Sequence, residues 1–286
     1  MRVTIAGFLT DQTGRALLQR LGARALRPVS RSLGPGESPA ETLARAFRES
    51  TGLYVLPVRL VGLYLSGGNT LTLAFRCALR GGELPPPAGQ PPAGFFDPQP
   101  LPRGLSAVHR RQLDDALHHA GGPAVMARLG GGRGARWRGA RWRGERRVDT
   151  AEAVDWAATT RLVAYDSRGQ VVWTRSDPAG PWRLPAAAVG PNEAPWATAE
   201  QLQQTLRLDQ NGHRPIPRLI TLAAARPMLT VVFVAALVEP LSPRTPGESV
   251  SFASPDGAQQ GFDAADRALA AEVLAGPEAT LVRLET

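Results

Sequence analysis

Short runs in which apolar and polar residues alternate, separated by glycine, proline and aspartate, recur along most of this chain. The opening RVTIAGFL alternates as a half-buried strand does, TDQTG supplies a turn, and ALLQR resumes the strand. The same outline returns later: AGFLTDQTGRALLQR (6–20) lines up without gaps against RLVAYDSRGQVVWTR (161–175), pairing Asp11 with Asp166, Gly14 with Gly169 and Arg20 with Arg175. LGPGESP (33–39) then matches VGPNEAP (189–195), and LTLAFRCAL (71–79) matches LTVVFVAAL (229–237). Order and spacing are kept, which implies a tandem duplication.

Within each half the period changes once or twice from two to about 3.6. Ser38 and Pro39 open a helix, with Glu41 at capping-box spacing from Ser38. Leu43 and Phe47 give that helix its apolar stripe, Gly52 ends it, and Leu53 continues the stripe past the break. A second helix, roughly Ser106 to His119, carries Val108, Leu113 and Leu117. Strands interspersed with helices predict a sheet covered on its faces, an α/β protein.

At 286 residues, with 43 % apolar content, the chain is long enough for two domains, each with its own core. No apolar run reaches membrane-spanning length, and MRVTIAGFL enters a strand without the features of a secretory leader, so the expectation is a cytoplasmic protein that does not enter a membrane. Cys77 is the single cysteine, set in the apolar LTLAFRCAL, and reads as a small buried hydrophobe; no disulfide framework or thiolate cluster is available. Every basic residue is arginine, which excludes lysine nucleophiles and Schiff bases.

Charge divides the chain in three. Residues 1–128 carry a net +7, residues 129–147 a net +6, and residues 148–286 a net −5. The middle piece contains GGGRGARWRGARWRGERR (130–147), too rich in glycine and like charge to bury a core, and reads as a linker between two domains. Its Arg136, Trp137, Arg141 and Trp142 also suit a second role, in which guanidiniums neutralise phosphates and indoles stack on bases of a nucleic acid.

The stretch around the first helix resembles the Nudix hydrolase family, whose box reads G-x5-E-x7-R-E-U-x-E-E-x-G-U with U aliphatic. Glu37, Arg45, Glu49, Gly52 and Leu53 fall at matching positions, and GFFDPQPLP (94–102) followed by HRRQLDDAL (109–117) is similar to the closing segment of such domains. The resemblance implies two tandem Nudix-like α/β/α sandwiches, with boundaries at 1–128 and 148–286. It also implies that Glu37, Arg45 and Gly52 brace the loop and helix, and that Glu49 is the one catalytic and metal-ligating position still acidic.

Pyrophosphate cleavage between anions needs divalent cations, and magnesium needs several carboxylate oxygens. The family draws three from one helix face, and here those positions are Ala46, Glu49 and Ser50. Arg31 replaces the first glycine of the box, and the loop AGQPPAGFF offers no acid. In the second half WRLPAAAVGPNEAPWATAEQLQQTLRL (182–208) keeps the lead-in, and with one deletion allowed in the loop the ligand positions become Gln201, Gln204 and Thr205.

The expectation is a catalytically impaired pseudo-hydrolase retained for a nucleotide-type ligand or a partner, with no cofactor. The alternatives are a divergent Nudix pyrophosphohydrolase using magnesium or manganese on nucleoside diphosphate derivatives, and a nucleic-acid-associated protein acting through the linker. A duplicated chain also suggests an intramolecular pseudo-dimer. No other chemistry stands out: the four histidines lack zinc spacing, His118 and His119 read as a solvent-facing helix end, and the adjacent Asp114 and Asp115 read as surface charge.

Overall fold

A computed structural model describes residues 1–21, 25–84, 93–129, 154–208, 213–223, 225–238, 249–257, 261–276 and 279–285. The expected linker segment 130–147, with Arg136, Trp137, Arg141 and Trp142, lies outside the described residues. The chain divides into two compact units, one built on Met1–Trp156 and the other on Ala157–Leu222 with Met228–Arg283.

The first unit contains β1 (Arg2–Leu9), β2 (Ala16–Leu21), β3 (Ala25–Arg27), β4 (Val29–Ser32), α1 (Pro39–Thr51), β5 (Leu53–Ser66), β6 (Thr70–Gly82), β7 (Ala93–Phe96), α2 (Ala107–His118) and β8 (Val125–Leu129). Its main sheet runs β4-β1-β6-β5-β8, and β3-β2-β7 form a small second sheet. Strand alternation distributes the two helices. Gly7 and Cys77 turn toward Phe47 of α1, while Ala6, Phe8 and Ala74 pack with Leu113 and Ala116 of α2. Helices therefore cover both faces, because β1 and β6 are apolar on both. Cys77 is buried, and burial raises its thiol pKa to about 12, as suits an inert core residue.

The second unit contains β9 (Ala157–Tyr165), β10 (Val171–Thr174), β11 (Ala186–Ala188), α3 (Pro195–Thr205), β12 (Ile216–Ala223), β13 (Met228–Ala236), β14 (Val250–Ala253), α4 (Ala264–Ala275) and β15 (Leu281–Glu285). Its sheet runs β14-β10-β9-β13-β12-β15, with β11 pairing on β9. Val163, Val232 and Val234 pack with Ala270 and Val273 of α4. On the opposite face the Thr160 hydroxyl donates to the Pro195 carbonyl of α3.

The two sheets share a central register. Gly7 of β1 lies opposite Phe75 of β6 in a parallel pair, and the aligned Leu162 of β9 lies opposite Phe233 of β13, again parallel. The turns agree as well. Asp11 Oδ1 accepts from the N–H groups of Thr13 and Arg15, and Asp166 Oδ1 from those of Arg168 and Gln170. Gly14 and Gly169, at φ 82° and 72°, complete them in a left-handed conformation that a side chain would strain.

Two sequence expectations change. Ser38 is the N-cap of α1, but its side chain makes no capping hydrogen bond, so the capping box with Glu41 does not form. Asp115 is not surface charge: its carboxylate accepts from the Tyr64 hydroxyl at 2.8 Å and from Arg111 at 2.8 Å, whereas Asp114 stays exposed beside His118.

Candidate functional site

The loop from Gly34 to Ser38 is organised by one carboxylate. Glu37 Oε2 accepts the Gly34 N–H at 2.9 Å and the Thr42 hydroxyl at 3.3 Å, while Oε1 pairs with Arg45 one helical turn along α1. Partial burial disfavours the charged carboxylate, but the Gly34 and Arg45 hydrogen bonds outweigh it and hold the pKa below the usual range. Gly36, at φ 69°, lets the loop close, and Gly52, at φ 75°, ends α1 with its N–H on the Arg48 carbonyl. Glu37 thus ties the loop to α1 through Arg45, while Gly52 closes the far end of the helix.

The three ligand-position residues have different fates. Ala46 is 6 % exposed and belongs to the core. The Ser50 hydroxyl donates to the Ala46 carbonyl at 2.6 Å, turning back on its own helix. Glu49 Oε2 meets Arg31 Nη1 at 2.5 Å. Arg31 reaches it from β4, where it sits opposite Ile5 of β1. A guanidinium therefore answers the one carboxylate among these three positions. These residues do not fit a magnesium ion: one acidic side chain is already neutralised, and the other two positions carry no oxygen aimed outward. Among the described residues no three His, Cys, Asp or Glu side chains converge as a metal site would need.

The second unit repeats the loop and corrects the register expected for its helix. Gly190 N–H donates to Glu193 Oε2 at 3.0 Å, as Gly34 does to Glu37, and Asn192 takes the left-handed place of Gly36. Helix α3 begins at Pro195 as α1 begins at Pro39, so the loop has no deletion. The positions matching Ala46, Glu49 and Ser50 are Leu202, Thr205 and Leu206, in place of Gln201, Gln204 and Thr205. Gln201 instead matches Arg45. One oxygen, Glu193 Oε1, is accordingly buried with no hydrogen-bond partner.

What sequence reasoning missed lies mostly in charge pairs between distant elements. Asp266 of α4 pairs with Arg161 of β9 and also accepts the Leu184 N–H at 2.9 Å, closing α4 onto the sheet. The matching position in α2 is His109, and Pro28 stands where Leu184 donates, so both partners differ together. An alignment of the two halves with single-residue gaps between segments could have flagged that pair. A separate groove of about 430 Å³ lies along α1, lined by Glu41, Ala44, Arg45, Arg48, Tyr54 and Val55.

No family model matches this sequence, and no curated protein does. Similar solved structures include an ADP-ribose pyrophosphatase from Streptococcus suis, at 18 % identity and TM-score 0.39, covering 45 % of this chain and 98 % of that one. A Nudix hydrolase from Nitrosomonas europaea gives 17 % identity and TM-score 0.39 over 45 % of this chain and 78 % of that one. A UDP-X diphosphatase gives 18 % identity and TM-score 0.38 over 44 % and 66 %. At TM-scores under 0.5 these likenesses carry no weight for activity. Strand order, register and side chains define an α/β protein with helices on both faces of its sheets.

Proposed function

We propose that this protein is a Nudix-type pseudo-hydrolase, duplicated in tandem, which binds a nucleotide-type ligand without metal. The Arg31–Glu49 ion pair carries the reading: a fixed cation stands against the carboxylate that would otherwise help hold a dication. Duplication is supported by the shared register, the Asp11 and Asp166 turns, and the Glu37 and Glu193 loops.

For the ligand, the groove along α1 offers the Arg48 guanidinium for phosphate and the Tyr54 ring, 55 % exposed, for stacking on a base. Titration calorimetry with ADP and with nucleoside diphosphate sugars in EDTA tests this, alongside a phosphate-release panel with magnesium and manganese. Binding that weakens in Arg48→Gln and Tyr54→Ala, with no turnover, is the expected result. Turnover that Glu49→Gln abolishes would establish a divergent hydrolase instead.

A further inference from the structure

In β5 the ladder slips on either side of Arg59 and Leu60. Register shifts fall between Pro57 and Arg59 and again between Leu60 and Gly62, and they set Arg59 directly opposite Arg76 of β6. Bulges re-aim side chains in this way. Two guanidiniums at one cross-strand position repel each other, which is a costly arrangement for a sheet to keep. Among the described residues neither has a carboxylate within ion-pair distance. Arg76 lies two residues beyond Ala74, on the α2 side of the sheet, and both arginines are exposed.

The end of α2 completes the cluster. His119 is half-buried, not solvent-facing as the sequence suggested, and its Nε2 has no hydrogen-bond partner. Burial, then the nearby Arg59, then Arg76 hold its pKa below the ordinary value, while the Gly122 backbone and Asp115 act in the opposite sense. Asp115 is already engaged by Tyr64 and Arg111, so it does not neutralise the pair. Arg59 also lies against the turn after α2: a Cβ built on Gly121 would stand 3.0 Å from Arg59 Nη1. Two guanidiniums and an imidazole thus gather around a place that lacks an anion's charge.

We propose that Arg59, Arg76 and His119 form an oxyanion site for a phosphate-bearing small molecule, separate from the Arg31–Glu49 pair and from the groove along α1. Guanidiniums match phosphate oxygens in paired hydrogen bonds, and a bound dianion turns the cross-strand repulsion into attraction. Nothing in the cluster recognises a base or sugar, so the phosphate group is the ligand's shared chemistry.

Titration calorimetry of the full chain at low ionic strength, with inorganic pyrophosphate, orthophosphate and ADP as probes, tests this. Pyrophosphate is expected to bind saturably, at least tenfold more weakly in Arg76→Gln and with no measurable heat in Arg59→Gln/Arg76→Gln. Arg103→Gln, which removes one exposed charge elsewhere in the unit, should leave binding unchanged. ADP binding that depends on the same two arginines identifies a nucleotide phosphate as the source, whereas pyrophosphate or orthophosphate binding alone identifies inorganic anion. An NMR titration of the His119 ring supplies a second readout: pyrophosphate should raise its pKa. Absent pyrophosphate binding, equal weakening by Arg103→Gln, or an unmoved His119 would overturn the proposal. ADP binding lost only in Arg48→Gln and Tyr54→Ala would belong to the groove along α1, so the two readings fail separately.

Discussion

Arg31 and Glu49 lie 2.5 Å apart, nitrogen to oxygen, joining β4 to the last turn of α1. Eighteen residues separate them in sequence. Glu49 is the only acid among the three positions from which the Nudix resemblance would draw a metal, and its partner is the residue that replaces the first glycine of the box.

Removing that partner should reopen the position. Arg31→Gly combined with Ala46→Glu and Ser50→Glu restores three carboxylates on one helix face, and manganese affinity should rise at least tenfold over the wild type by calorimetry. Arg31→Gly alone should gain little, because one carboxylate holds a dication weakly. Circular dichroism must show an intact fold, since Ala46 is buried and a glutamate there has to turn outward.

The gap-free register of α3 predicts a stabilising change. Glu193 Oε1 is buried without a partner, and Gln201 occupies the place of Arg45. Gln201→Arg should supply the missing donor and raise stability by about 1 kcal/mol in urea unfolding. The neighbouring Leu202→Arg should give no gain; equal gains from both would show that added charge, not the register, is responsible.

His109 makes stability depend on pH. Burial, then the nearby Arg27, lower its pKa from 6.5 to about 4, against a raising contact with the Leu26 backbone. The unfolded chain takes up this proton near pH 6.5 and the folded chain only near 4. Stability is therefore whole above pH 6.5, falls as pH drops through that window, and has lost about 3 kcal/mol by pH 4. His109→Gln should flatten this part of the profile, read from urea midpoints between pH 4 and 7.5.

Gly7 is required by the helix above it. A Cβ there would stand 2.4 Å from Phe47 Cε2 and 3.1 Å from Cys77 Sγ. Gly7→Ala should cost about 1–3 kcal/mol through overpacking. Adding Phe47→Leu, which withdraws the ring, should recover part of that loss in thermal denaturation.

Several elements were legible because their signals are local. Leu43, Phe47 and Gly52 mark α1 by spacing and a left-handed stop, and both are as expected. Asp11 with Gly14, and Asp166 with Gly169, mark tight turns that close within four residues. The pairing of Glu37 with Arg45 is local as well, since both ends lie within one loop and helix. By contrast Glu41 fits a capping box by spacing, yet Ser38 does not use its side chain to cap.

The sequence by itself determined the alternation of strands and helices, the recurrence of short segments in its two halves, and the absence of carboxylates at Ala46 and Ser50, because each depends on residue identity at short range. Only the tertiary structure decided what took their place. Arg31 meets Glu49 through the pairing of β4 with β1 and the packing of α1. Arg59 faces Arg76 through two register slips in β5, and Asp266 finds Arg161 across more than a hundred residues. A single-residue slip in a ladder changes every facing pair, and residue spacing along the chain does not reveal where such a slip occurs.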